Sequence, residues 1–163
     1  PFLDNGNLRL SMICDGFHLP PELVGVVTKC RTPDNWFAVS DASGYAGLPP
    51  GTYTRHETTE FVIEPYGKIH LKDSELMVGA WFQLDRGVEF LVAMRHFTLP
   101  QAWHQCSSVP AQIMGIPLPE IAVDEEASFV LARWDDGLII EQSVHCGRPY
   151  LDTPIRPADP VRA

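Results

Sequence analysis

Two short apolar runs, each ending in a polar turn, constrain the fold of this chain more than any other feature. Residues 8–14 are mainly apolar and lead into an Asp-Gly turn, and residues 36–39 form a second run that leads to Asp41. A helical pattern separates the two runs, and this order predicts a strand, helix, strand unit in a parallel sheet. Functional groups in such folds collect just past the carboxyl ends of the strands, where His18 and Asp41 lie.

The segment between the runs has the marks of a helix. Consecutive prolines at 20 and 21 precede Glu22, which is the pattern of a helix start with an acid in the first turn. Leu23, Val26 and Val27 recur at helical spacing and predict one apolar face. Pro33 places the end of the helix near residue 30 because proline disfavours helical geometry in the residue before it.

Downstream of the second run the hydrophobic period changes twice. Alternating residues from 51 to 76 predict short antiparallel strands, and Leu84, Val88 and Leu91 then mark one face of a helix. A turn sequence, Asp-Asp-Gly at 135–137, separates two apolar runs and predicts a hairpin. The predicted elements are helices over 83–96, 101–107 and 110–115, and strands over 128–134 and 138–144.

Composition excludes several classes of protein. The 163 residues carry 12 basic and 21 acidic side chains, a net charge of −9 that offers nucleic acid and anionic membranes no broad attraction. Every apolar run is shorter than the roughly 20 residues that span a bilayer, and no signal peptide is visible. Four scattered cysteines fit buried, reduced thiols and predict a cytoplasmic protein. The proline-rich residues 151–163 predict an extended tail.

Two segments carry a resemblance to a known family. Residues 13–22 contain Asp-Gly-Phe-His-Leu-Pro-Pro-Glu, and residues 38–42 contain Val-Ser-Asp-Ala, followed at 46–53 by Ala-Gly-Leu-Pro-Pro-Gly-Thr-Tyr. In this order they resemble the last two barrel strands of N-acetylglucosamine-6-phosphate deacetylases, members of the amidohydrolase superfamily. Weaker similarities continue at residues 76–80 and 108–115.

The resemblance implies an α/β fold: the C-terminal part of a metal-dependent-hydrolase (β/α)8 TIM barrel plus returning strands of a small β-sandwich. Residues 1–120 would be barrel strands and helices with a β insertion at about 51–76, and residues 121–150 would be sandwich strands. The family's metal ligands, usually a Glu and two His, precede the matching region. A divalent metal, zinc, is therefore expected with its main ligands outside this chain, and no metal ligand is assigned within it.

An open quarter of a barrel exposes sheet edges and apolar surface. The chain also begins without Met. We therefore expect a truncated piece that is inactive alone, and that is completed by the N-terminal portion or by forming a homo-oligomer.

The resemblance also implies roles for individual residues. Asp41 would be the catalytic base and acid, and His18 would bind the substrate beside Asp15, which orients the loop. Met77, Val78 and Gly79 would offer backbone groups to the substrate, in a loop where Ala80 replaces the family's usual Ser. The residues alone leave simpler interpretations open: Asp41 could cap a turn, and His18 could pack against Leu19 and Pro20. The remaining histidines lack ligand spacing and are interpreted as surface or packing residues: His56, His70, His96, His104 and His145.

The leading prediction is a hydrolase that removes acetate from an N-acetyl amino sugar, a small-molecule substrate. A second interpretation keeps the superfamily but changes the substrate to an N-acyl amino acid or a cyclic amide. A third is a non-catalytic, self-associating domain.

Overall fold

The computed structural model describes residues 5–56 and 58–150, so the predicted extended tail at 151–163 lies outside the described residues. The elements alternate between strands and helices only at the start of the chain, as the sequence pattern predicted. In chain order they are β1 (Leu10–Ile13), α1 (Pro21–Cys30), a 3-10 turn (Pro33–Asn35), β2 (Trp36–Val39), β3 (Gly51–Arg55), β4 (Thr59–Ile63), β5 (Ile69–Leu71), α2 (Leu84–Ala93), α3 (Leu99–Cys106), α4 (Ser108–Met114), β6 (Phe129–Trp134), β7 (Leu138–His145) and β8 (Arg148–Pro149).

Strands β1 and β2 form the predicted parallel pair. Leu10 lies opposite Trp36, and Ile13 lies opposite Val39, so both strands end at the same edge. Within the described ranges this sheet has two strands. The pair fits the end of an α/β fold, but the residues described do not by themselves form a closed barrel.

Helix α1 packs on this pair with only part of the face that the sequence predicted. Val24 and Val27 are buried, whereas Leu23 and Val26 are 43% and 51% exposed. Residues three apart lie on the same side of a helix. The side that contains Val24 and Val27 packs against the core, and the adjacent side that contains Leu23 and Val26 faces outward. The prediction that Leu23 and Val26 share the buried face was wrong.

The core of this part of the molecule joins β1, β2, α1, α2, α3 and β7. Trp36 is 1% exposed and packs edge-on against the ring of Phe97, with centroids 5.5 Å apart. Helix α2 ends earlier than predicted because Arg95 adopts a positive φ of 57°. We call this cluster the main core; its buried members are Leu10, Met12, Cys14, Val24, Val27, Trp36, Ala38, Val88, Leu91, Ala102, Cys106 and Leu138.

Strands β3, β4 and β5 form the antiparallel sheet predicted for residues 51–76. Its own apolar cluster, which we call the small core, consists of Phe61, Ile63 and Ile69 with partly buried side chains around them. The β4–β5 turn contains Gly67 at a φ of +88°. A β carbon there would lie 2.5 Å from Cζ of Phe82, so the turn requires glycine.

The last sheet, β6–β7–β8, is the predicted hairpin with one further short strand. Its tight turn places Asp136 at a φ of 53° and Gly137 at 150°. The buried carboxylate of Glu89 on α2 accepts a hydrogen bond from the amide of Leu138 at 2.7 Å, which ties the hairpin to the main core. The resemblance implies sandwich strands at residues 121–150, and the described residues there form this one antiparallel sheet.

The four cysteines are free, as predicted, but only half of them are buried. Cys14 and Cys106 lie in the main core, where burial raises the pKa of each thiol to about 12, whereas Cys30 and Cys146 are exposed. Among the described helices, none has the length and apolar content needed to cross a bilayer.

Candidate active site

The site begins where β1 and β2 end side by side. Because the two strands are parallel and in register, the loops at 14–20 and 40–48 leave the sheet at the same edge. These loops carry His18 and Asp41, respectively. The structure therefore confirms the strand arrangement on which the site prediction depends, while the chemical roles of the two side chains stay predictions.

Asp15 organises the first loop. Its Oδ1 accepts hydrogen bonds from the amides of Phe17 and His18 at 2.9 and 3.0 Å, and its Oδ2 lies 2.8 Å from Nδ1 of His18. The aspartate is 4% exposed, so these contacts satisfy a buried carboxylate. The bond to Asp15 occupies Nδ1 and makes Nε2 the ring nitrogen of His18 that can face a ligand.

Asp41 ends the second strand in an unusual backbone conformation. Its φ is 51°, a left-handed geometry that Asp and Asn adopt more readily than other residues with a β carbon. The side-chain caps in this turn come from Ser40 and Ser43, whose hydroxyls accept from the amides of Ala42 and Tyr45 at 3.3 and 3.2 Å. Capping of the turn is thus provided by serines, and the exposed Asp41 is the acidic side chain at this strand end.

The segment predicted to contact substrate, residues 77–79, lies directly against the Asp41 loop. The amide of Ala80 donates to the Asp41 carbonyl at 2.9 Å, and the amide of Ser43 donates to the Ala80 carbonyl at 2.9 Å. Gly79 has a φ of +79°, and a β carbon there would lie 3.0 Å from Cβ of Ser43. Glycine is therefore required for this close backbone approach, which unites two regions far apart in sequence.

The other end of the same segment reaches the His18 loop through stacked aromatic rings. Phe82 is buried and stacks on Phe17, with ring centroids 6.1 Å apart and an interplanar angle of 12°. Tyr66, in the β4–β5 turn, lies 5.8 Å from Phe17 between centroids. Residues 77–82 thus contact both strand-end loops, the Asp41 loop by backbone bonds and the His18 loop by aromatic packing.

Sequence reasoning missed His70, which lies beneath the 77–79 segment. Its backbone forms a bridge with Met77, and its ring contacts Glu64 and two carbonyl groups. No ligand spacing marks this histidine. The alternating pattern around it, with an acid six residues earlier in a predicted hairpin, was the available signal.

Whether the described residues could bind a metal ion depends on how their His, Cys, Asp and Glu side chains are grouped. Within residues 5–56 and 58–150, no group of three or more His, Cys, Asp or Glu side chains converges as a metal site requires. The described residues thus do not fit a metal by themselves, and we assign no step of the chemistry to one.

A cavity of about 770 Å³ lies away from these loops, between the helices and the last sheet. Its lining includes Leu84, Trp103, Cys106, Leu118, Phe129 and Ile140. It is thus a cleft between α2, α3 and the hairpin rather than part of the strand-end site.

Comparison with known proteins gives a consistent result. No family model matches the chain. N-acetylglucosamine-6-phosphate deacetylase of Vibrio furnissii is 28% identical over 150 residues, which cover 91% of this chain and 36% of that protein. N-acetylgalactosamine-6-phosphate deacetylase of Escherichia coli O157:H7 is 27% identical over 135 residues, covering 82% of this chain and 34% of that one.

Solved structures agree at the level of the fold. N-acetyl-D-glucosamine-6-phosphate deacetylase from Mycobacterium smegmatis, in complex with N-acetyl-D-glucosamine-6-phosphate, superposes with a TM-score of 0.77 at 19% identity, covering 91% of this chain and 39% of that one. The enzyme from Pasteurella multocida gives 0.77 at 20% identity, with 92% and 38% covered. The chain therefore spans between about a third and two fifths of these proteins, and the resemblance predicted from two sequence segments is confirmed, since its relatives by sequence and fold are N-acetylhexosamine-6-phosphate deacetylases.

Proposed function

We propose that this chain forms the C-terminal part of a deacetylase that removes acetate from an N-acetyl amino sugar phosphate. The supporting observation is that residues 77–80 lie against the Asp41 loop and, through Phe82, near the His18 loop at one edge of a parallel strand pair. The relatives named above act, by their names, on N-acetylated hexosamine 6-phosphates. In this proposal β1 and β2 are the last strands of a (β/α)8 barrel, and β6–β8 are strands of the adjoining sandwich.

Asp41 would move the proton in this reaction. Hydrolysis forms a bond from the oxygen of water to the amide carbon and breaks the carbon–nitrogen bond, giving acetate and the free amine. The Asp41 carboxylate takes one proton from the attacking water and then delivers it to the departing nitrogen. The exposure of this side chain at the end of β2, in a turn whose capping bonds come from Ser40 and Ser43, supports the role.

His18 and the 77–79 segment would position the sugar. Asp15 fixes the ring of His18 so that Nε2 can bond a hydroxyl or phosphate oxygen. The backbone of residues 77–79 would contribute further bonds, and its required glycine keeps side chains out of this space. Ala80 contributes no hydroxyl, so a sugar position usually bonded there would be recognised less strictly.

The cofactor stays a prediction: a divalent metal, zinc, held mainly by residues outside this chain.

The experiment uses the 163-residue chain alone and joined to the upstream portion of the Vibrio furnissii relative. We expect turnover of N-acetylglucosamine-6-phosphate by the joined protein only. Asp41→Asn should reduce kcat at least about 100-fold, the low end of general acid–base contributions. Asp124→Asn is the matched control, since both aspartates are exposed and have positive φ, and it should leave kcat unchanged.

Full activity of Asp41→Asn, or equal turnover by the chain alone, would contradict the proposal. Preference of the joined protein for an N-acyl amino acid or a cyclic amide would keep the chemistry of Asp41 and replace the sugar as substrate.

The exposed apolar face of α1 indicates that another polypeptide segment packs on it. Leu23 and Val26 expose apolar side chains beside a sheet that has two strands within the described ranges. We infer that this face is covered by an upstream portion of the polypeptide or by a second copy. Light scattering should show a self-associated 163-residue chain and a discrete species for the joined protein; a stable monomer of the short chain would refute self-association.

A further inference from the structure

His70 on β5 is surrounded by hydrogen-bond acceptors. Its Nδ1 lies 2.8 Å from the carbonyl oxygen of Leu71 and 2.9 Å from that of Ser74. Its Nε2 lies 3.0 Å from Oε1 of Glu64, at the end of β4. The His70 side chain is 12% exposed, so little of the ring is open to water.

This arrangement selects one charge state of the ring. A neutral imidazole carries one N–H and can satisfy the acceptors at only one nitrogen, whereas the imidazolium donates from both. The bond to Glu64, and secondarily those to the two carbonyls, raises the pKa of His70, while burial opposes the rise. Two other charged groups lie nearby, Glu75 and Lys68, which form an ion pair. The bond to Lys68 and, more weakly, the charge of His70 lower the pKa of Glu75.

The carbonyl groups that His70 contacts belong to the turn that immediately precedes the 77–79 segment. Ser74 lies in the turn that leads from β5 to this segment, and the amide of Leu71 donates to the Leu76 carbonyl at 3.0 Å. The amide of Val78 donates to the Ile69 carbonyl at 3.1 Å, so the segment continues the sheet beside His70. Gly79 then meets the Asp41 loop. The ring therefore bonds the turn directly, and the backbone bonds of Leu71 and Val78 connect that turn to the segment approaching the candidate site.

We propose that His70 is a positioning residue: as an imidazolium clamped between Glu64 and the turn carbonyls, it holds residues 76–79 in the conformation that presents their backbone to the substrate. The clamp loosens when the ring loses a proton. The role in substrate presentation rests on the function proposed above, whereas the clamp itself does not.

The test follows amide hydrogen exchange in the 163-residue chain by NMR, together with the titration of the His70 ring. Protection of Leu71 and Val78, normalised to amides of the β6–β7 hairpin, should fall about tenfold as pH rises through the His70 midpoint, the change expected for one charge-assisted hydrogen bond. The midpoint should exceed the ordinary histidine value near 6.5. Glu64→Gln keeps an oxygen acceptor but removes the charge, so the midpoint should move down and protection at low pH should persist.

His70→Gln should abolish the pH dependence of this protection. His104→Gln is the matched control, because His104 also lies beside a carboxylate, that of Asp34 at 3.8 Å, but packs elsewhere. Unchanged protection across the midpoint, or a midpoint in Glu64→Gln equal to that of the parent chain, would overturn the proposal; Glu64→Gln decides the matter if His70→Gln fails to fold.

Adding N-acetylglucosamine-6-phosphate to the protein joined to the upstream portion, the form in which the proposed site is complete, separates the two proposals. Shifts at Val78 and Gly79 that are largest below the His70 midpoint support presentation of the segment to the sugar. A pH-dependent clamp with no response to the sugar would refute the substrate assignment and leave the clamp standing.

Discussion

The main core and the small core are stabilised in different ways. The main core gathers side chains from β1, α1, β2, α2, α3 and β7, which are distant in sequence, around Trp36. The small core draws its three buried side chains from residues 61–69, within one antiparallel meander, and surrounds them with aromatic rings. The candidate site therefore lies where the two cores meet. The Asp41 loop follows β2 of the main core, and residues 77–79 pack beside β5 of the small core.

Each region also contains an ionisable side chain whose pKa is raised, Glu89 beside the main core and His70 beside the small core, and the two rises have opposite causes. Burial raises the pKa of Glu89 because its charged form loses solvation, although the Leu138 amide and Arg86 oppose the rise. Hydrogen bonding raises the pKa of His70 because its charged form gains partners. The stability that His70 contributes is therefore complete below its unfolded pKa and is lost as pH rises through the higher folded value.

The largest effect is expected in the main core. Trp36→Ala removes a side chain that is 1% exposed and should lower the free energy of unfolding by about 3–5 kcal/mol. Urea denaturation followed by circular dichroism measures the loss. Trp134→Ala, at a tryptophan that is 42% exposed, is the matched control and should change stability far less. Equal losses for the two variants would mean that Trp36 does not organise the main core.

Phe61→Ala tests whether the small core unfolds separately. Phe61 is fully buried and packs against the rings of Tyr45 and Tyr53, with centroids 4.3 and 5.6 Å away. We expect a local loss of about 3 kcal/mol, seen as faster amide exchange in β3–β5 while the β1–β2 pair stays protected. Simultaneous loss of protection in both sheets would show that the two cores form one cooperative unit.

Glu89 links the main core to the last sheet and should have the next largest effect. Glu89→Ala leaves the buried Leu138 amide without its acceptor and should cost about 1–3 kcal/mol. Glu89→Gln keeps an oxygen for that amide and should retain most of the stability.

The pH dependence distinguishes the charge of Glu89 from its hydrogen bond. Because the folded pKa is raised above the ordinary 4.5, the folded chain binds this proton more tightly, and stability should fall as pH rises from 4.5 through the folded value. Glu89→Gln should remove that decline in denaturant titrations at successive pH values. A decline of equal size in the Gln variant would assign it to another group.

What the sequence could predict follows the same division between local and distant contacts. The parallel pair, the antiparallel meander and the hairpin were predicted because hydrophobic period and turn residues are local signals. The buried stripe of α1 was not, since the choice between Leu23 and Val24 depends on what the helix packs against. His70 was missed for a similar reason: its partners, Glu64 and the Ser74 carbonyl, meet it only once the strands pair.

The smallest effect is expected at the N-terminal cap of α3. It tests whether the loss of this local cap destabilises the whole main core. Thr98 caps α3 through a capping box, accepting from the Gln101 amide while the Gln101 side chain accepts from the Thr98 amide at 2.9 Å. Thr98→Ala should lower the free energy of unfolding by about 1 kcal/mol, whereas Thr98→Ser keeps the hydroxyl and most of the stability. Because α3 packs on β2 and α2, the loss should appear equally in every amide of the main core and leave the exchange of β3–β5 unchanged. A loss confined to the first turn of α3 would instead show that this helix frays independently of the core on which it packs.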